Sequence, residues 1–453
     1  VQSRIHLETF REASVTENVT PPSSNTTENA RSERIQSVKG MQDLFEESLR
    51  TWRHVEHTAA DVFSAFGYGE IRTPIVEEVQ LFVRSVGEAT DIVEKEMYAF
   101  VDRDREATHL ALRPENTAGV VRALVQHGML PADADARLFY IGPMFRRERP
   151  QKGRYRQFHQ LGAEAFGFAQ PAADVEMMAM LHVFAERLGL LGTSLVVNTL
   201  GDKADRPRYA AALKDYLAAH ESALSEDSRR RLHTNPLRIL DSKDTGDQAI
   251  VRDAPKPRAF LSDAARAHFE AVLNGLTRLS VPFVVDDRLV RGLDYYTRTV
   301  FEVLATTGLG AQNAVAAGGR YDDLVRELGG RETPALGFAA GIERIVLLLE
   351  DTGKTVGPRG ADIMLIGADD GGRQAAQVLA HGLRQRGLHV DVDVRDRGVK
   401  SLMKRADKNG ARAVVVIGDR EQNEGRVQVK TMATGVVQDA ALSVDGLWTA
   451  LRG

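Results

Sequence analysis

Apolar residues recur at helical spacing through Leu49, Trp52, Val55, Ala59, Val62, Phe63 and Phe66. This predicts a helix over 46–66 that ends near Gly67. Tyr68 to Pro74 then reads as a strand that stops at the proline, which cannot donate to a ladder. From spacing alone the pair is an ordinary amphipathic helix lying on a sheet. Ala111 to Ala118 follows an apolar strand and opens a helix with apolar positions Val120, Val121, Leu124 and Val125. Leu138 to Ile141 and Leu161 to Gly167 frame a polar stretch, which gives strand, loop and strand with a turn at Gly153. A polar, helix-prone block covers about 205–275, and Gly353, Gly357, Pro358 and Gly360 mark a linker over 351–360. Beyond the linker, Ile363 to Gly367, Val390 to Val394, Ala413 to Gly418 and Val427 to Lys430 read as strands. Helices through Leu383 and over Lys400 to Lys408 lie between them. This alternation predicts a small α/β domain.

A chain of 453 residues holds two or three domains. The net charge of −4 gives no global positive field, so any nucleic-acid contact must come from local basic patches. The absence of cysteine excludes disulfides, thiol catalysis and a thiolate zinc site. No apolar run approaches a membrane span, so no membrane role is expected. Residues 12–34 are rich in Ser, Thr, Asn and Glu around Pro21-Pro22, and 1–35 read as a flexible tail. It lacks the apolar stretch of a secretory signal, and its acidic residues argue against a mitochondrial transit peptide. A cytoplasmic location is the expectation.

The strongest chemical signal lies between Phe145 and Gln160, where six Arg or Lys fall within sixteen residues among Phe, Tyr, Gln and His. Arginine makes forked, charge-assisted bonds to phosphate oxygens, so such a hairpin suits polyphosphate. Read alone, a basic run is more often a solvated loop. The same two readings apply to Arg395, Arg397, Lys400, Lys404, Arg405 and Lys408 near the end of the chain.

Three further motifs change the balance. Arg291-Gly292-Leu293-Asp294-Tyr295-Tyr296 opens one, Ala317-Gly318-Gly319-Arg320-Tyr321-Asp322 a second, and Ala335 to Arg344 forms a third. In this order, with the basic hairpin before them, they resemble the histidyl-tRNA synthetase family of class II aminoacyl-tRNA synthetases, of the bacterial type. The resemblance covers about 36–453. It implies an α+β catalytic core over 36–350 with a mixed or antiparallel sheet and a helical insertion. It also implies a C-terminal α/β anticodon-binding domain over 361–453.

The implied reaction is activation of L-histidine by ATP, with Mg2+, followed by transfer to the 3′ end of tRNA-His. Because the substrate carboxylate is already a nucleophile, the first step needs alignment and stabilised charge rather than a strong base. By resemblance, Arg291 and Arg146 are catalytic at the α-phosphate. Arg146, Glu148, Phe158 and Arg344 bind ATP, with Phe158 on adenine and Gly337 and Gly341 clearing the approach of the nucleotide. Glu115 and Tyr296 meet the imidazole, and Tyr295 also belongs to the histidine site. Gln160 and Glu164 face the α-amino group, with Thr117 and Tyr321 beside them. Gln151, Arg154, Arg395, Lys400 and Lys404 contact tRNA, and no metal ligand is assigned. From sequence alone Tyr295-Tyr296 is readily a core pair and Phe158 a core residue. The helix over 46–66 and the strand after it resemble the motif that makes a homodimer interface. The alternative is the histidine-binding regulatory paralogue of ATP phosphoribosyltransferase, which usually lacks the C-terminal domain.

Overall fold

The computed structural model describes residues 35–453 except 88–89, 91, 132, 191, 241, 291–294, 310–312, 358–359, 394, 396 and 453. The expected N-terminal tail falls almost entirely outside these residues. Two units separate, 1–38 and 39–453. The described residues 35–38 of the first form no regular element.

Residues 39–453 contain an eight-stranded sheet. Its order across the sheet is Gly69–Glu70, Ala136–Phe145, Gln157–Phe166, Ala335–Gly341, Ala314–Arg320, Thr297–Ala305, Thr193–Thr199 and Phe283–Val285. Pairing is parallel at both edges and antiparallel between them. The expected hairpin is present as two ten-residue strands, and Gly153 turns at φ 72°. A positive φ of this size costs a residue without a Cβ little.

Alternation along the sheet sends neighbours to opposite faces. Phe139 packs on the helix Glu46–Ala65, where Phe63 meets it edge-on at 5.7 Å, while Tyr140 packs on the other face with Val121, Leu124 and Tyr321. The helices Glu46–Ala65, Pro171–Leu188, Asp263–Arg278 and Ile342–Asp351 cover the first face through Val62, Phe184, Val272 and Leu349. Trp52 meets the edge of His159 at 5.0 Å.

The strand expected over 68–74 is shorter. Only Gly69 and Glu70 pair, and the Ile71 N–H makes one more bond, to the Phe139 carbonyl. The reason is local: the carbonyls of Thr73 and Pro74 accept from the Arg113 guanidinium instead of a neighbouring strand.

The helical block has its own core of Tyr209, Leu213, Leu217, Leu232, Ile239 and Val251. Asp247 is buried there and accepts from the hydroxyls of Ser225, Ser228 and Ser242. Its last long helix, Asp263–Arg278, instead buries Phe269, Val272 and Leu276 in the main core.

The C-terminal sheet runs Val390–Val392, Ile363–Gly367, Ala413–Ile417, Arg426–Thr431 and Val437–Ala441, the first three parallel and the rest antiparallel. The helix Val399–Lys408 packs Leu402 and Ala406 on Met364, Ile366 and Val414. Two guanidinium groups stand over Trp448, with Arg452 at 4.2 Å and Arg386 at 5.7 Å from its ring centre.

Candidate active site

A cleft of about 290 Å³ opens on the sheet between the hairpin, the start of the helix Thr117–Gln126, and the strands Ala314–Arg320 and Ala335–Gly341. One end is aromatic and acidic. Glu115 precedes the helix, and its two oxygens accept from the N–H groups of Thr117 at 2.7 Å and Ala118 at 3.0 Å. A carboxylate suits this position, because the first N–H groups of a helix lack partners and carry positive potential. Burial still raises the Glu115 pKa, and those backbone bonds only oppose it. Tyr295, Tyr296 and Tyr321 form a cluster of rings with centres 4.6 to 6.4 Å apart. Both Tyr295 and Tyr296 line the cleft while belonging to the core, so the two readings of that pair are one arrangement.

Gln160 lines the same chamber, and its buried Oε1 has no hydrogen-bond partner among the described residues. An unpaired buried acceptor is costly and suits a donor brought by a ligand. Glu164 differs from expectation. It is fully buried beneath the wall, and its carboxylate accepts from the hydroxyls of Tyr321, Thr117 at 2.8 Å and Tyr140 at 3.4 Å. Those three side chains, not Glu164, face the cleft. Burial pushes Glu164 up to about 8, and the Tyr321 and Thr117 hydroxyls offset this only in part.

The other end is basic. Arg146, Arg154 and Arg344 all line it. Arg146 Nε donates to the Pro114 carbonyl at 2.9 Å, and its guanidinium stands 5.2 Å from the centre of the Phe158 ring. Arg344 Nε donates to the Gly153 carbonyl at 3.2 Å, and its Nη1 to that of Ala314. Burial first, then the fields of Arg154 and Arg146, pull the Arg344 pKa below its ordinary value. Arg154, expected on tRNA, is carried by the hairpin into this wall, where Glu148 binds it.

Arg291 lies outside the described residues. Gln151 is exposed at the hairpin tip. Arg395, Lys400 and Lys404 are exposed on the C-terminal domain. Arg395 and Arg405 are both tied to the buried Asp393, with Arg405 also bonded to Asp391, so the basic face is partly neutralised. The glycine expectation also changes. A Cβ on Gly337 would meet the Glu164 Oε2, so that space serves the carboxylate, while one on Gly341 would make only ordinary contact with the Arg344 stem. Tyr140 and Glu343 belong to the wall but escaped the sequence reading. Tyr140 sits inside an apolar run, and only its alternation with Phe139 hinted at a different face.

Among the described residues no group of three His, Cys, Asp or Glu could hold a metal ion alone. Two carboxylates, Glu148 and Glu343, line the cleft with the arginines. Magnesium bound mainly through nucleotide phosphates takes one or two carboxylates and keeps waters, so this donor set fits it.

A model described as histidyl-tRNA synthetase matches residues 40–345, and one described as anticodon binding domain matches 361–453. A histidine--tRNA ligase of Burkholderia thailandensis is 49% identical over 416 residues, which is 91% of this chain and 92% of the relative. One from Cupriavidus taiwanensis is 47% identical over 422 residues, again 91% and 92%. The crystal structure of apo S. aureus histidyl-tRNA synthetase gives a TM-score of 0.77 at 34% identity, covering 93% of this chain and 100% of that one. With these matches along both of the larger sheets, the chain belongs to the histidyl-tRNA synthetase family.

Proposed function

We infer that this chain is a histidine–tRNA ligase. The observation that carries this reading is the cleft itself: Arg146, Arg154 and Arg344 gather at one end and Glu115, Tyr295 and Tyr296 at the other. Glu148 answers part of this charge beside Arg154 and Arg146, and the excess of guanidinium groups in a partly buried site suits a polyanion. The regulatory paralogue is set aside, since relatives near half identity over nine-tenths of the chain carry ligase names and an anticodon-domain model matches 361–453.

In the first step the histidine carboxylate oxygen bonds to the α-phosphorus of ATP, the bond to the bridging oxygen breaks, and pyrophosphate leaves. Arg146 meets the α-phosphate and the attacking carboxylate, and Arg291 the opposite side. Arg344 holds the γ-phosphate end, with Arg154 beside it. Phe158 stacks on adenine. When bound, magnesium would neutralise charge on the phosphates, with Glu148 and Glu343 as its protein ligands. Glu115 accepts from the imidazole, Gln160 from the α-ammonium, and Glu164 acts on that ammonium through Thr117 and Tyr321. In the second step the tRNA 3′-hydroxyl attacks the acyl carbon and AMP leaves. Residues 36–350 supply this chemistry, 351–360 link them to 361–453, and that last segment holds the anticodon. A homodimer joined through the first helix and the 68–74 segment, in the cytoplasm, completes the reading. No helix among the described residues is long and apolar enough to cross a membrane.

ATP–pyrophosphate exchange across the twenty amino acids tests it. Exchange with histidine alone, and charging of tRNA-His, is the expected result. Exchange with another amino acid, or histidine binding without tRNA charging, would overturn it. Sedimentation of an active monomer at assay concentration would remove the dimer.

A further inference from the structure

We propose that Arg113, with Thr73 and Asn116, is a positioning clamp for the backbone that carries Glu115, and so sets histidine affinity without touching histidine. This rests on the reading of Glu115 as the imidazole partner. Arg113 follows the strand His109–Leu112 and is only 6% exposed. Among the described residues it forms no ion pair. Its Nε donates to the Pro143 carbonyl at 2.9 Å, and its Nη1 to the Thr73 carbonyl at 3.0 Å, the Thr73 hydroxyl at 3.0 Å and the Asn116 Oδ1 at 3.2 Å. The Thr73 hydroxyl in turn donates to the same Asn116 oxygen at 2.6 Å. Main-chain bonds add to this, from the Arg113 N–H to the Ile75 carbonyl and from the Phe145 N–H to the Arg113 carbonyl. One residue therefore ties two segments remote in sequence, 73–75 and 143–145, to its own.

The arrangement is expensive. A buried guanidinium hydrogen-bonded only to neutral acceptors loses hydration, and the fields of Tyr140, Glu77 and Glu115 offset this only in part. Burial lowers the Arg113 pKa accordingly. Asn116 is 1% exposed, and among the described residues its Nδ2 has no partner while its Oδ1 takes two donors. The strand opposite leaves room for the cation: a Cβ on Gly142 would lie 2.5 Å from Arg113 Nη2. Residues 113 and 116 are both pinned, and Glu115 stands between them with its oxygens already on the helix start. Its direction into the cleft follows from these bonds.

The test uses full-length Arg113→Lys and Thr73→Val in pyrophosphate exchange, with Glu115→Gln as the control on the underlying reading. Lysine keeps the charge but not the fork. The histidine KM should rise about tenfold in Arg113→Lys and about threefold in Thr73→Val, the range for one or two buried hydrogen bonds. The ATP KM should rise less than the histidine KM, since Arg146 at that end meets the clamped segment only through the Pro114 carbonyl and keeps its own place on the hairpin. An unchanged histidine KM in both variants, with Glu115→Gln impaired, would overturn the clamp. So would equal rises in both KM values with a lowered Tm, which is the mark of general damage. If Glu115→Gln leaves the histidine KM unchanged, the role of Glu115 falls, and the clamp with it.

Discussion

Gly337 stands directly across the ladder from Glu164, so close that a Cβ on Gly337 would lie 1.7 Å from the Glu164 Oε2. The same Cβ would lie 2.7 Å from the Ala163 carbonyl, which is backbone and cannot swing away. The glycine leaves a slot into which the neighbouring strand places an acid.

Gly337→Ala should therefore displace the Glu164 carboxylate and strand the hydroxyls of Tyr321 and Thr117 that donate to it. We expect a stability loss of about 1–3 kcal/mol from overpacking. The histidine KM should rise with it. Thermal denaturation and pyrophosphate exchange on one preparation check both, and a variant with unchanged Tm would show that the slot is not needed.

Glu164 also sets a pH dependence. Its pKa in the folded chain is about 8, above the ordinary value of 4.5, chiefly through burial. The folded state therefore binds the extra proton between these values. This group's contribution to stability is fully present below the lower one and is lost as pH rises through the upper. Glu164→Gln should flatten the decline in Tm across that window, and parallel curves for the two proteins would contradict it.

The arginine end makes a different demand. Arg344→Ala removes one of three like charges, so ATP should no longer raise the Tm. Adenylate formation should slow by about 10²–10³, the range for one strong electrostatic donor. Single-turnover measurement decides, and a rate within a factor of two of the parent would exclude Arg344 from the phosphate site.

On the C-terminal domain the basic residues should divide into two kinds. Arg405 is held by Asp391 and Asp393, so Arg405→Ala should lower Tm. Lys400 and Lys404 are exposed and form no ion pair among the described residues. Replacing either by Ala should weaken tRNA-His binding and reduce its salt slope by about one unit. Titrations at several salt concentrations separate these effects. An unchanged slope for both lysines would place the anticodon elsewhere.

The long first helix, the basic hairpin and the C-terminal alternation were legible because each is a local pattern. Seven apolar positions at helical spacing, or a glycine between two apolar runs, are enough to place them. The position of Glu164 beneath the wall was not legible. It depends on which face of the Gln157–Phe166 strand turns to Gly337, more than 170 residues away. The bonds of Arg113 to Thr73 and Pro143 were equally hidden, spanning 40 and 30 residues. Arg154 shows the same limit: composition marked the hairpin as suited to polyphosphate, the resemblance put Arg154 on tRNA, and neither told which side of the hairpin it takes.

Trp52 and Trp448 are the chain's two indoles. The first touches His159, whose N–H is bonded to Glu343 in the cleft wall, and the second is met by the guanidinium groups of Arg386 and Arg452 on the C-terminal domain. Each of the two larger sheets thus has its own fluorophore. With Trp448→Phe, emission reports on the cleft alone, and nucleotide should change it. With Trp52→Phe, it follows the C-terminal sheet, and guanidinium stacking makes it sensitive to any charged strand that draws Arg386 or Arg452 away. The two halves of the reaction can then be timed by light in a single chain.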